Sequence, residues 1–290
     1  MPDNQEHEGQ KVTLLGALIN AFLIVLKFAG GFLGGSQALI ADAIHSFSDF
    51  FTDLVVFIGL KAGRKPADEG HPFGHARLET LASTVVAVAI IVVAVIIAIN
   101  SGRNIYFHKV TQPTWLTVVV AFFSICAKEG IYRYTIHVGR KIKSPVVIAN
   151  AWHHRSDALS SVAVFFGVLG AQIKPDWHIL DAYAALIVAF LILRVGFNIL
   201  RDSVREFTDT APSQETLKFI ENCALRVSGV GEVHDLKART SGGMMLMEMH
   251  IVVDGQLTVT EGHRIAKEVE ACIIEEVDEI LQITVHVDPA

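Results

Sequence analysis

Six stretches of this chain are apolar over about the length a helix needs to cross a hydrocarbon core, roughly 20 residues. They lie near 12–35, 37–60, 78–100, 114–136, 146–172 and 179–200. Hydrophobic residues make up 51% of the 290 and charged residues only 19%, with a positive mean hydropathy. That balance excludes an ordinary soluble domain and fits a chain whose solvent is partly lipid. The start, "MPDNQEHEGQK", is acidic and polar and lacks the basic segment and small-residue cleavage site of a secretory signal, so the first span is expected to be retained. The reading is a polytopic α-helical membrane protein with six transmembrane helices, embedded in a lipid bilayer.

Basic residues set the expected orientation. Lys61, Arg64, Lys65 and Arg77 fall between spans two and three, and Arg140, Lys141 and Lys143 between four and five. The alternate loops hold none in "GGSQ", then Arg103 and Lys109, then Lys174. The positive-inside rule then places both termini in the cytoplasm.

A shift in charge divides the chain into 1–208, the six-helix transmembrane domain, and 209–290, a soluble domain. From Asp209 to Ala290 there are 15 acidic and 6 basic residues, a balance of −9, whereas residues 1–208 carry 15 acidic and 18 basic, or +3. An acidic field of that kind gathers cations and not nucleic acid. Cys126, Cys223 and Cys272 form no CxxC pair, and are expected as unpaired, buried small hydrophobes in a reducing compartment.

The tail reads as αββαβ. Ser213 can cap a helix running to about Val227, "VHDLKART" and "MMLMEMHIVVD" flank "SGG" as a hairpin, Thr260 can cap a second helix to about Val277, and "ILQITVHVD" is a third strand. Met245, Met247, Met249, Ile251 and Val253 alternate with polar residues, as do Leu281, Ile283, Val285 and Val287, so one sheet face is expected to pack on the helices. The methionine stripe is read as strand core, since methionine fills cores readily.

The polar residues inside the spans carry the chemistry. "HSFSD" in the second span sets His45 and Asp49 at i and i+4, and "HHRSD" in the fifth sets His153 and Asp157 at the same spacing, each pair on one helix face. Counted from their own helix starts, the two histidines lie roughly 12 Å deep and the two aspartates roughly 18 Å, in a core of about 30 Å. Two imidazoles and two carboxylates meeting near the midplane make a tetrahedral site suited to zinc or a similar divalent ion. A lone histidine in a span is more often a packing residue, but ionisable groups in lipid mark ion paths by default. Lys27 and Arg155 are read as snorkelling or paired side chains; Asp42 and Asp53 are left as helix-end or wet-cavity residues.

With these residues in hand, the chain resembles the cation diffusion facilitators, in particular their bacterial zinc and iron efflux branch. "ADAIHSFSDFFTD", "KPADEGHPFGHARLE", "HHRSD" and the closing "VHVDP" carry the resemblance, which covers nearly the whole chain. It implies a homodimeric antiporter of the inner (cytoplasmic) membrane that exports divalent metal against protons, with the transport site at His45, Asp49, His153 and Asp157. Some bacterial relatives have aspartate at the position of His45; its histidine resembles zinc-selective members. Asp68, His71 and His75 lie within eight residues of one another and can hold one ion with an open position; the resemblance makes them a second site. It also implies a structural ion pair between Arg77 and Asp209 that ties the dimer together. For the tail it implies a metallochaperone-like α+β domain with a binuclear zinc site at His234, His250, His263, His286 and Asp288, one variable position being Val287.

Mechanism follows from the ligands. Metal needs unprotonated histidine and aspartate, so metal and protons compete for the same electron pairs, and alternating access turns that competition into antiport. The tail sites would sense zinc in a regulatory role. Exporters chiefly for iron, cadmium or manganese, and a metal-gated channel, remain as alternatives. No HExxH motif supports an intramembrane protease, and the reading is not of an enzyme.

Overall fold

The computed structural model describes residues 2–63, 65–108, 112–142, 144–277 and 280–290. Arg64, Lys109 and Lys143, and the side chains of Asp53 and Lys61, lie outside the described residues. Six long helices stand where the six apolar stretches were read: α1 (Pro2–Gly34), α2 (Gln37–Gly63), α3 (Arg77–Tyr106), α4 (Trp115–Lys141), α5 (Pro145–Ile173) and α6 (Ile179–Phe207). Among the described residues, α1 from Lys11 on, α3, α4, α5 from Val147 on, and α6 are long and apolar enough to cross a membrane. α2 is 27 residues long, and Asp42, Asp49 and Asp53 interrupt its apolar run.

The described chain forms two compact units, one of residues 1–55 with 86–198 and one of 56–85 with 199–290. In the first, α4 packs along both α1 and α5. Its inner stripe, Thr117, Ala121, Ser124, Lys128, Ile131 and Thr135, repeats at helical spacing and is buried. Small side chains let the backbones approach, as between Gly167 of α5 and Ala184 of α6, where an added Cβ would collide with the alanine. The start of α2 leaves amide donors that lipid cannot satisfy. Asp181 of α6 meets them, accepting from the Gln37 amide at 2.7 Å and from the Ser36 hydroxyl at 2.5 Å.

The second unit contains α7 (Gln214–Leu225), β1 (Glu232–Ser241), β2 (Met244–Val253), α8 (Val259–Glu276) and β3 (Ile280–Pro289). The sheet order is β1-β2-β3, with β2 antiparallel to β1 and parallel to β3. Ser213 caps α7 by accepting from the Thr216 amide at 3.1 Å. The hairpin turns through Gly242 and Gly243, both at positive φ, which glycine adopts without Cβ strain. Met247, Met249, Ile251 and Val253 are buried against Ile220, Ile265, Val269 and Ile273 of the two helices.

Three expectations are corrected here. The cap of α8 is Thr258, not Thr260: Glu261 answers Thr258 in a reciprocal capping box, two residues upstream of the expected cap. In β3 the register skips from Met245↔Ile280 to Leu246↔Gln282, so Ile280 packs on the core and Leu281 is not among the core residues. Cys223 and Cys272 are joined in a disulfide between α7 and α8, because those helices lie side by side, and Cys126 is exposed on α4.

Candidate metal sites

On α2, His45 and Asp49 face one another across a helical turn, with Nδ1 to Oδ2 at 3.8 Å. On α5, Asp157 is buried while His153 is exposed. Asp49 lies within electrostatic reach of His45, His153 and Asp157, and of Lys128. No three of these four side chains bring ligand atoms within 4.8 Å of one another. Lys128, entering from the inner stripe of α4, donates from Nζ to Asp157 Oδ2 at 2.8 Å. Both partners are almost wholly shielded, at 1% and 8% side-chain exposure. Asp49 Oδ2 has no hydrogen-bond partner.

Two turns from Asp49 along α2, and one turn from Asp157 along α5, lies a second charged layer. Lys27 of α1 meets Asp42 at 2.7 Å with side chains 0% and 1% exposed, and also donates to Ser46 at 3.2 Å and Ser161 at 3.0 Å. The Ser161 hydroxyl donates to Asp42 at 2.9 Å. Lys27 is therefore a paired core residue and does not snorkel, and Asp42 is its counter-ion. Arg155 stacks over the rings of Tyr132 and Trp152 and donates to the Tyr132 hydroxyl at 3.0 Å. His154, beside His153, is buried with neither ring nitrogen hydrogen-bonded; a Cβ on Gly16 of α1 would stand 2.9 Å from its Nε2.

In the loop before α3, Asp68 accepts from the His71 amide at 2.9 Å and lies 3.2 Å from His71 Nδ1 and 3.4 Å from His75 Nε2. Lys65 donates to Asp68 at 2.8 Å, and this, with the His71 contacts, holds the carboxyl down at about 2. Asp209, held at positive φ just past α6, takes Arg77 on Oδ1 at 2.5 Å and Arg239 of β1 on Oδ2 at 2.9 Å. Beside it Glu206 accepts from the Thr80 hydroxyl and from the Gly242 amide at 2.5 Å. This ties the start of α3, the end of α6 and the hairpin together.

The tail cluster is built by strand register. His234, His250 and His286 occupy one rung across β1, β2 and β3, with ring centroids 5.1 and 4.6 Å apart in sequence. Asp288, two residues beyond His286, reaches all three: Oδ2 lies 2.9 Å from His250 Nδ1 and 3.3 Å from His234 Nε2, and Oδ1 lies 3.3 Å from His286 Nε2. The His250 hydrogen bond leads the causes that hold the Asp288 carboxyl below its ordinary range. His263 is exposed at the start of α8 and lines a separate hollow with Asp254, Val285 and Val287.

Among the described residues, ligand atoms lie within 4.8 Å of one another in three groups: Asp68, His71 and His75; His234, His250 and Asp288; and Cys223, Cys272 and Glu276. The first two fit a divalent ion, with imidazole nitrogens and a carboxylate converging. The third is occupied by the disulfide.

Residues 13–208 match the cation efflux transmembrane domain, and residues 212–290 match the cytoplasmic domain of cation efflux proteins. The chain belongs to the cation diffusion facilitator family. It is 37% identical to an uncharacterized transporter of Methanocaldococcus jannaschii over 97% of this chain and 98% of that one. It is 31% identical to the manganese efflux system protein MneP of Bacillus subtilis over 100% of this chain and 99% of that one. A solved C-terminal domain of MamM, a manganese form, aligns at 32% identity over 27% of this chain and all of that one, with a TM-score of 0.26. Family members are transporters and not enzymes, so this facilitator is a multi-pass metal efflux protein.

Sequence reasoning missed Lys128, and it allowed Lys27 to be paired without identifying Asp42 as its partner. The available signal was a lysine in the middle of each apolar stretch, "FLIVLKFAGG" and "FFSICAKEGIY", too far from the ends for the stem to reach water easily.

Proposed function

We propose that this facilitator exports zinc from the cytoplasm in exchange for protons, with His45, Asp49, His153 and Asp157 as the transport site. The observation that carries the reading is the repeated His-x-x-x-Asp pair on α2 and α5, with Asp157 buried and Asp49 in the field of all three others. Two nitrogens and two oxygens suit zinc, whereas harder ions such as manganese favour oxygen. Protonating any of the four removes a ligand, which couples metal to protons.

Around that site we assign residues 1–208 to the membrane domain and 209–290 to a cytoplasmic domain, in a homodimer of the inner membrane with both termini in the cytoplasm. Asp68, His71 and His75 hold a second ion. His234, His250 and Asp288 hold a regulatory zinc, with His286 and His263 extending the donors to a second. Arg77 and Asp209 brace the joint between α3 and α6. The test is zinc uptake into inside-out vesicles: His153→Ala should abolish uptake that the wild type shows, and wild-type uptake in the variant would remove the site.

Manganese is the second reading, favoured by the full-length similarity to a manganese efflux protein. Manganese taken up in preference to zinc by the same vesicles would replace zinc with manganese and leave the site in place.

A further inference from the structure

The Lys128 ammonium already holds one oxygen of the carboxylate that a metal at the proposed transport site would have to bind. A divalent ion binds a carboxylate oxygen at about 2.0–2.2 Å, and the ammonium already holds Oδ2 at 2.8 Å. Ion and ammonium would share one carboxylate and repel each other through a medium of low polarity. We propose that Lys128 is a tethered competitor of the transported metal, holding Asp157 in the empty carrier and leaving it when the metal arrives. The proposal rests on Asp157 being a transport ligand.

The other buried lysine shows what a permanent pair looks like. Lys27 has Asp42 and two serine hydroxyls as partners, and Asp42 is bound in turn by Ser161. For Lys128, Asp157 is the hydrogen-bond partner found among the described residues. A single contact is easier to exchange than a closed network. The lysine also settles a charge problem, since Asp157 without metal would otherwise sit as an uncompensated anion in the membrane domain. Two properties follow: the empty site stays neutral at Asp157, and metal binds more weakly than the four donors alone would allow, which eases release.

Zinc binding to purified full-length protein in detergent tests this, by competition with a fluorescent chelator. The proteins are the wild type, Lys128→Met and Lys128→Arg, each with and without Asp157→Ala. Methionine keeps the length of the stem and removes the charge; Lys128→Gln is the second neutral variant if methionine disturbs folding. The expected result is at least tenfold tighter Asp157-dependent binding in the neutral variants and wild-type affinity in Lys128→Arg. Unchanged or weaker Asp157-dependent binding in the folded neutral variants overturns the proposal and leaves the transport site intact. Binding that ignores Asp157→Ala in every background overturns the transport-site reading and this proposal with it.

Discussion

The sheet of the tail and the helices of the membrane domain both gather histidine and aspartate, and they do so in opposite ways. In the tail, strand register places three histidines on one rung around Asp288, half-exposed and, among the described residues, with no lysine or arginine in contact with them. In the membrane domain the donors sit on separate helices, do not close together, and one of them is held by a lysine. A sheet fixes side chains through its hydrogen-bonded ladder, so the tail donors already stand together. Helices that meet only through side chains can part, as alternating access requires.

The largest effect should come from breaking the helical site. Asp157→Ala is expected to abolish zinc-for-proton exchange, read as vesicle flux, because one of four ligands is gone, while His250→Ala in the tail should leave exchange measurable. Loss of flux in both variants would erase the distinction between the regions.

The buried lysine pairs predict a difference in stability. Lys27→Met strands Asp42 in a fully buried setting, and breaking one partner of such a pair costs about 3–5 kcal/mol. Thermal unfolding in detergent should show a large fall in melting temperature. The same measurement on Arg77→Ala, whose pair with Asp209 is about half exposed, should show a much smaller one, since exposed pairs contribute about 0–1 kcal/mol.

The preassembled tail should respond to zinc without the membrane domain, since its core is built from its own helices and strands. For the fragment 209–290 at pH 7.5, zinc at about 100 times its Kd should stabilise folding by about 2.7 kcal/mol. The gain should shrink at pH 5.5 and be lost in His250→Ala. The sign follows from the groups involved. The depressed Asp288 carboxyl gives stability that is fully present above its unfolded value near 4 and is lost only as pH falls through its lower folded value, so Asp288 stays ionised at both pH values. Any change between them therefore reports histidine protonation. An equal zinc gain in wild type and variant would mean that the ion binds elsewhere.

A smaller effect than that of zinc on the tail concerns metal choice. His45→Asp exchanges a nitrogen for a harder oxygen and should move the uptake ratio of zinc to manganese toward manganese by about tenfold, roughly 1.4 kcal/mol. An unchanged ratio would place selectivity outside α2.

The spans and the αββαβ order were legible because burial imposes a period that composition records. The two i, i+4 pairs were legible for the same reason, being local spacings on one helix. The partners of Lys128 and Lys27 were not, because a mid-span lysine signals that it is paired, while which helix supplies the carboxylate depends on how the helices pack. The disulfide and the Ile280 register skip also depend on contacts made by distant parts of the chain. Thr258 differs from these, because its capping box with Glu261 is a local pattern that the sequence carries in full.

One recording bears most directly on the proposed exchange of metal for protons: zinc entry into inside-out vesicles with the internal pH followed at the same time. The lumen should become more alkaline in step with zinc uptake in the wild type, and neither signal should appear in Asp157→Ala. Zinc entry with no pH change, or with the same pH change in Asp157→Ala, would contradict exchange at this site.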